Sequence, residues 1–248
     1  MLNIQNRFVI GNKMHSSLKL DSSKVALFGT EHAGGFVLSA ADKIGTFKRA
    51  NLSCIISQTP FLSGGRYFSE NLIHQRGILA TLRAYLIAFL DVASSTMITV
   101  RPVYVKLAGT SNETSYLTMS DTDIVAYYST HPPLVKLDES AATNNPNPPA
   151  PSYLGGWKNF SPAKGFFYLP FYNPSSIVKD ISAPILFVSA SRDETLFPAS
   201  EIRQAHKSAF AGQILELNVS HYDVYSGRPF EVISSNMLKF LLEHFSME

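Results

Sequence analysis

The chain has 248 residues, 45% of them hydrophobic and 16% charged, with a net charge of +2. That is enough for one sizeable α/β core and too apolar for wholesale disorder; with Lys and Arg scattered rather than striped, it gives no electrostatic case for nucleic acid. A single cysteine, Cys54, rules out an intrachain disulfide and fits a reducing, cytoplasmic setting; the first residues show no secretory pattern, and the most apolar window, Tyr85 to Val92, falls short of the ~20 residues a membrane span needs.

In chain order, a helix is expected over 4–20, weakened by Gly11, and a turn at Asp21-Ser22-Ser23. Lys24-Val25-Ala26-Leu27-Phe28 reads as a strand, the small-residue run Gly29 to Gly35 as a tight turn, and 34–43 as a helix. Leu52 to Gln58 is apolar on both faces, as a buried parallel strand should be. A helix follows over 69–92, with apolar Leu72, Ile73, Leu79, Leu82, Leu86, Phe89 and Leu90. Met97 to Val105 is extended, and Pro102 keeps it off the centre of a sheet. A second helix is expected over 120–129, a loop over 138–152, then a dense aromatic cluster from Trp157 to Tyr172. Pro184 to Ala190 is a strand, Pro198 to Phe210 a helix, Gln213 to Val219 the last strand, and 230–245 the C-terminal helix. The pattern is α/β: a core of 1–65 and 179–248, with 66–178 inserted as a cap.

In a doubly wound sheet, chemistry gathers at the carboxyl ends of the strands. Three such ends carry Ala33, Asp193 and His221, in the chain order nucleophile, acid, histidine. Gly29-Thr30-Glu31-His32-Ala33-Gly34-Gly35, Ile181 to Leu186, Ser191-Arg192-Asp193 and Ser220-His221-Tyr222-Asp223-Val224-Tyr225-Ser226-Gly227 resemble the α/β-hydrolase superfamily. Within it, the chain is most similar to fungal hydrolases and polyketide transferases of secondary metabolism, with which it shares the Trp157-Lys158-Asn159 stretch. The resemblance implies a mostly parallel sheet under a helical cap and a nucleophile between strand and helix. On this reading Ala33 holds the nucleophile's position, so no acyl-enzyme can form there. Only 23 residues precede Lys24, so the usual first strands and one oxyanion donor are expected to be lacking, leaving the N–H of Gly34. The strand edge so exposed is expected to be covered by a homodimer partner or by the N-terminal segment folded over it.

The chemistry expected to survive is general acid–base catalysis by His221 oriented by Asp193. Glu31, its pKa raised by burial, would be a general acid, with His32 sharing that role and Tyr225 and Trp157 lining the pocket. An apolar small molecule with a strained ring, such as a polyketide epoxide, suits a dyad without a serine, by hydrolysis or by epoxide-opening cyclisation. Two alternatives stay open: an esterase, thioesterase or acyl transferase inactivated by a serine-to-alanine change at Ala33, and a non-catalytic binding protein. No spacing of His, Cys and acidic residues suggests a metal, and no cofactor is implied.

Overall fold

A computed structural model describes residues 25–47, 52–96, 102–110, 113–118, 160–193 and 197–246. The expected helices over 4–20 and 120–129, the loop over 138–152 and Trp157 lie outside them. The chain divides into two compact units, the second between Ser63 and Tyr172 and the first from the segments on either side.

The first unit is built on a four-stranded parallel sheet. β1 (Val25–Thr30), β2 (Leu52–Gln58), β6 (Ile185–Ala190) and β7 (Gly212–Leu217) lie side by side in that order. β6 is buried along its whole length, which explains its unbroken apolar sequence. Side chains alternate between two cores. Ile55, Ile185 and Phe187 pack with Leu38 and Ala41 of α1 (His32–Phe47) and with Ile202 and Ala205 of α5 (Ala199–Ser208). Cys54, Ile56, Leu186 and Val188 pack on the other face with Ile233 and Phe240 of α6 (Gly227–Ser246). Helices therefore cover both faces, and the polar strand ends are left to carry chemistry. This is an α/β-hydrolase-like, mostly parallel architecture. β1 has a neighbour on one side only among the described residues.

The second unit departs from the expected single helix over 69–92. A short α2 (Gly64–Tyr67) runs into a π-helical stretch, Phe68–Gln75, and Gly77 at φ +85 breaks the path before α3 (Ile78–Thr96). Of the residues in this segment, Leu79, Leu82, Leu86 and Phe89 are exposed, whereas Thr81, Ala84, Ala88 and Asp91 are buried. The polar residues on that inner face are satisfied locally. Thr81 donates to the carbonyl of Leu72 at 2.5 Å, and the two Asp91 oxygens accept from the amides of Val103 and Lys164 at 2.8 Å each. A small sheet of β3 (Tyr104–Gly109), β4 (Ser115–Thr118) and β5 (Ser161–Pro162) completes the unit. The aromatic cluster is split: Phe166 is buried and stacks on Tyr116 at 4.3 Å, while Tyr168 and Phe171 are exposed.

The passage from β1 to α1 tolerates no side chain at Gly29. A Cβ there would stand 2.1 Å from the backbone oxygen of Ala33. Gly29→Ala should therefore lower stability by about 1–3 kcal/mol or more, the range for forced overpacking. Thermal melting checks this, and an unchanged midpoint would contradict the turn geometry.

Candidate active site

β1 ends at Thr30 and α1 begins at His32, so the whole change of direction falls on Glu31. Its φ is +55, a value that few residues other than glycine adopt and that persists only where neighbours hold it. Three backbone hydrogen bonds hold it there. The Glu31 amide donates to Gln58 O at 2.9 Å, and its carbonyl accepts from Phe61 N at 3.0 Å and Gly35 N at 3.3 Å. Gly34 lets the helix approach the β2 exit closely, because a Cβ there would lie 3.0 Å from Pro60.

This corrects the expected register of the turn by two residues. Ala33 lies in the first turn of α1 and is exposed, so it is not the tip. Glu31 is the tip, flanked by small Gly29 and Ala33 at minus two and plus two. The residue following the tip is therefore His32, which moves the expected oxyanion amide from Gly34 to His32. Gly34 is a packing residue.

His221 follows β7, and Asp193 follows β6. His221 Nδ1 and Asp193 Oδ2 are 2.7 Å apart, both side chains almost fully buried. Asp193 Oδ1 also accepts from the amide of Phe197 at 3.2 Å. The other ring nitrogen, Nε2, is 3.1 Å from Glu31 Oε1. Tyr225, in the 3₁₀ turn Tyr222–Tyr225, donates to the same oxygen at 2.9 Å, and its hydroxyl is 2.6 Å from Thr30 Oγ1. Phe197 stacks on the imidazole of His221 at 4.8 Å, and Tyr222 meets it edge-on. His32 stacks on Phe61 at 4.7 Å and meets Phe197 edge-on. Asp223 holds the loop, accepting from the amide and hydroxyl of Ser220. The structure thus brings Glu31, Asp193, His221 and Tyr225 together and sets His32 among rings. Trp157 is outside the described residues, and Thr30, Phe61 and Phe197 emerge as neighbours that the sequence reading passed over.

The charges follow from these contacts. Burial presses the His221 pKa down, but hydrogen bonds and charges from Asp193 and Glu31 outweigh it and raise it from 6.5 to about 9. Burial pushes Glu31 up, yet the hydrogen bond and charge of His221 and the Tyr225 hydroxyl bring it below its ordinary value. The expectation of a proton-bearing Glu31 is therefore reversed: at neutral pH it is a carboxylate beside an imidazolium. His32 is lowered by burial and by the charge of His221, against the pull of Glu31, and stays neutral. Among the described residues, no group of three His, Cys, Asp or Glu side chains is arranged to hold a metal ion, and no helix is long and apolar enough to cross a membrane.

The same architecture occurs in solved structures. The chain has an α/β-hydrolase fold. It superposes on DcsB, solved in complex with its substrate analogue, with a TM-score of 0.65, 20% identity, and coverage of 95% of this chain and 70% of that one. Against a monoacylglycerol lipase of Paleococcus ferrophilus the TM-score is 0.55 at 13% identity, covering 97% and 76%. In sequence it is similar to the quorum-quenching protein AidA of Acinetobacter baumannii (strain MDR-ZJ06), 26% identical over 223 residues. The match takes in 90% of this chain and spans 62% of the length of that curated relative. No family model matches the chain.

The raised His221 contributes stability that is complete below pH 6.5 and lost as pH rises through about 9. The lowered Glu31 contributes stability that is present above about 4.5 and lost as pH falls through its folded pKa. A ¹H–¹⁵N titration of the imidazoles should show His221 with a midpoint near 9, displaced downward in both Glu31→Gln and Asp193→Asn. A midpoint at 6.5 or below in the unaltered protein would contradict the double pairing.

Proposed function

We propose that this chain is a hydrolase that opens epoxides on apolar, polyketide-like skeletons, with Glu31 as a carboxylate nucleophile and the His221–Asp193 pair as its acid and base. The observation that carries this is Glu31 at the turn tip, at φ +55, with Oε1 3.1 Å from His221 Nε2. A nucleophile presented between strand and helix, backed by histidine and acid from later strand ends, is what the fold is suited to provide. The fold shared with a lipase supports the hydrolase class. The buried rings of Phe61, Phe197 and Tyr222 pack against His32 and His221 and give the site apolar surroundings.

The chemistry selects the electrophile. A carboxylate attacking an ester would expel a far more basic alkoxide and form an anhydride, which runs uphill. Attack on an epoxide carbon releases ring strain and forms an ordinary ester. As Glu31 attacks, the His221 imidazolium delivers its Nε2 proton to the opening oxygen. The product is a hydroxyalkyl glutamyl ester and a neutral imidazole. Water then adds to the Glu31 carboxyl carbon, giving a proton to His221. The bond from that carbon to the substrate oxygen breaks, the diol leaves with the proton from His221, and the Glu31 carboxyl returns its own proton to the imidazole. The same histidine serves as acid and then as base.

The test is a single turnover of p-nitrostyrene oxide in H₂¹⁸O with enzyme in excess. The diol should carry no label and Glu31 should gain it. Label in the diol after one turnover would mean direct attack by water and would overturn the nucleophilic role. Glu31→Gln should lose ~10³-fold or more in turnover, as removal of a nucleophile does.

A further inference from the structure

The two Glu31 oxygens are not equivalent. Oε1 takes both hydrogen bonds, from His221 and from Tyr225, whereas Oε2 has none among the described residues. The Glu31 side chain is one-fifth exposed. Oε2 is therefore the oxygen open to a substrate, and Oε1 becomes the carbonyl oxygen of any ester formed.

We infer that Tyr225 is a catalytic residue, the side-chain donor that stabilises the oxyanion developing on Glu31 Oε1 when water attacks the glutamyl ester, with Thr30 as the residue that positions it. This rests on the nucleophilic role proposed for Glu31. When the ester forms, His221 has given away its Nε2 proton and its ring nitrogen is an acceptor, which no longer supports Oε1. Tyr225 is then the donor that remains, still within 2.9 Å of the oxygen that gains charge.

The direction of the hydroxyl chain is fixed by counting protons. Tyr225 has one O–H, and it goes to Glu31. The 2.6 Å contact with Thr30 must then run from the Thr30 hydroxyl to the phenol oxygen. Accepting that bond makes the phenol a better donor. Thr59, buried at φ +38, lies beside the same phenol, and its hydroxyl has no well-formed partner among the described residues. Burial, first, and the charge of Glu31 keep the phenol well above its ordinary pKa, so it remains a donor at any working pH.

The step balances. Water oxygen bonds to the Glu31 carboxyl carbon, one water proton passes to His221 Nε2, and the carbonyl electron pair moves onto Oε1, where the Tyr225 O–H meets it. Collapse restores the carbonyl, breaks the bond from that carbon to Oε2, and Oε2 leaves in the diol with the proton from His221. The water oxygen stays on Glu31.

Rapid-quench intact-protein mass spectrometry with p-nitrostyrene oxide separates ester formation from ester breakdown. Tyr225→Phe should form the adduct at nearly the unaltered rate and break it down ~10²-fold or more slowly, the usual cost of one oxyanion donor. The adduct then accumulates and maps to Glu31. Thr30→Val should prolong the same adduct less, and Thr30→Ser should restore the unaltered lifetime. Equal slowing of both steps, or an unchanged breakdown rate, would overturn the inference and leave Glu31 as nucleophile. Absence of any adduct in every variant, with label entering the diol directly, would overturn the nucleophilic reading and this one with it. Circular dichroism melts of each variant, with Thr30→Val as the milder perturbation, separate these outcomes from a failure to fold.

Discussion

One imidazole held between two carboxylates organises this molecule. His221 reaches Asp193 at 2.7 Å through one nitrogen and Glu31 at 3.1 Å through the other. A buried imidazolium with a single partner would give up its proton more easily, because burial disfavours the charged form. The second carboxylate adds to the pull of Asp193 that raises the His221 pKa. The three groups come from the carboxyl ends of three parallel strands, β1, β6 and β7, so the spacing of the sheet sets the distances between them. The register of those strands, held by two apolar cores, is what keeps the bonds short.

Placing a carboxylate at the turn tip changes what the histidine must do. A serine has to be deprotonated before it attacks, so its histidine begins as a base. Glu31 is already ionised, and the histidine beside it begins as an acid. The position of the charge therefore decides the order of proton transfers. It also explains why a strained backbone is worth holding at Glu31: the φ of +55 points the side chain away from both strand and helix, toward the ring of His221.

The sequence was legible where hydrophobic patterning alone decides. The four strands of the sheet stand out as short apolar runs, and Asp193 and His221 mark polar ends of two of them, so their pairing could be expected. The turn was misread because Gly34-Gly35 draws the eye to the wrong small residues. Gly29-Thr30-Glu31-His32-Ala33 also fits small–x–nucleophile–x–small, and only the prior expectation of serine hid the glutamate. The protonation of Glu31 was misjudged for a related reason: burial was visible in the sequence, but the imidazolium that outweighs it is a tertiary fact. α3 shows the limit of periodicity. Its leucine stripe is real, yet a period says which residues share a face and not which face turns inward. Hydrogen bonds from Thr81 and to Asp91 settle that within the unit.

The charge on Glu31 and the proton on His221 are coupled, and in the mechanism we propose the coupling would give the cycle its direction. While Glu31 is a carboxylate it holds the imidazolium, which keeps Nε2 a donor. Once Glu31 is esterified the charge is gone, the support from that side disappears, and the His221 pKa falls toward the value that burial and Asp193 alone would give. The histidine then becomes a base at the moment a base is needed. In the proposed cycle, release of the diol would restore the carboxylate and with it the acid. A side chain that lost its charge on substrate attack and stood elsewhere than beside Nε2 would give no such alternation. The short contact between Glu31 and His221 is thus more than a positioning bond, since it couples the state of the nucleophile to the acidity of its partner.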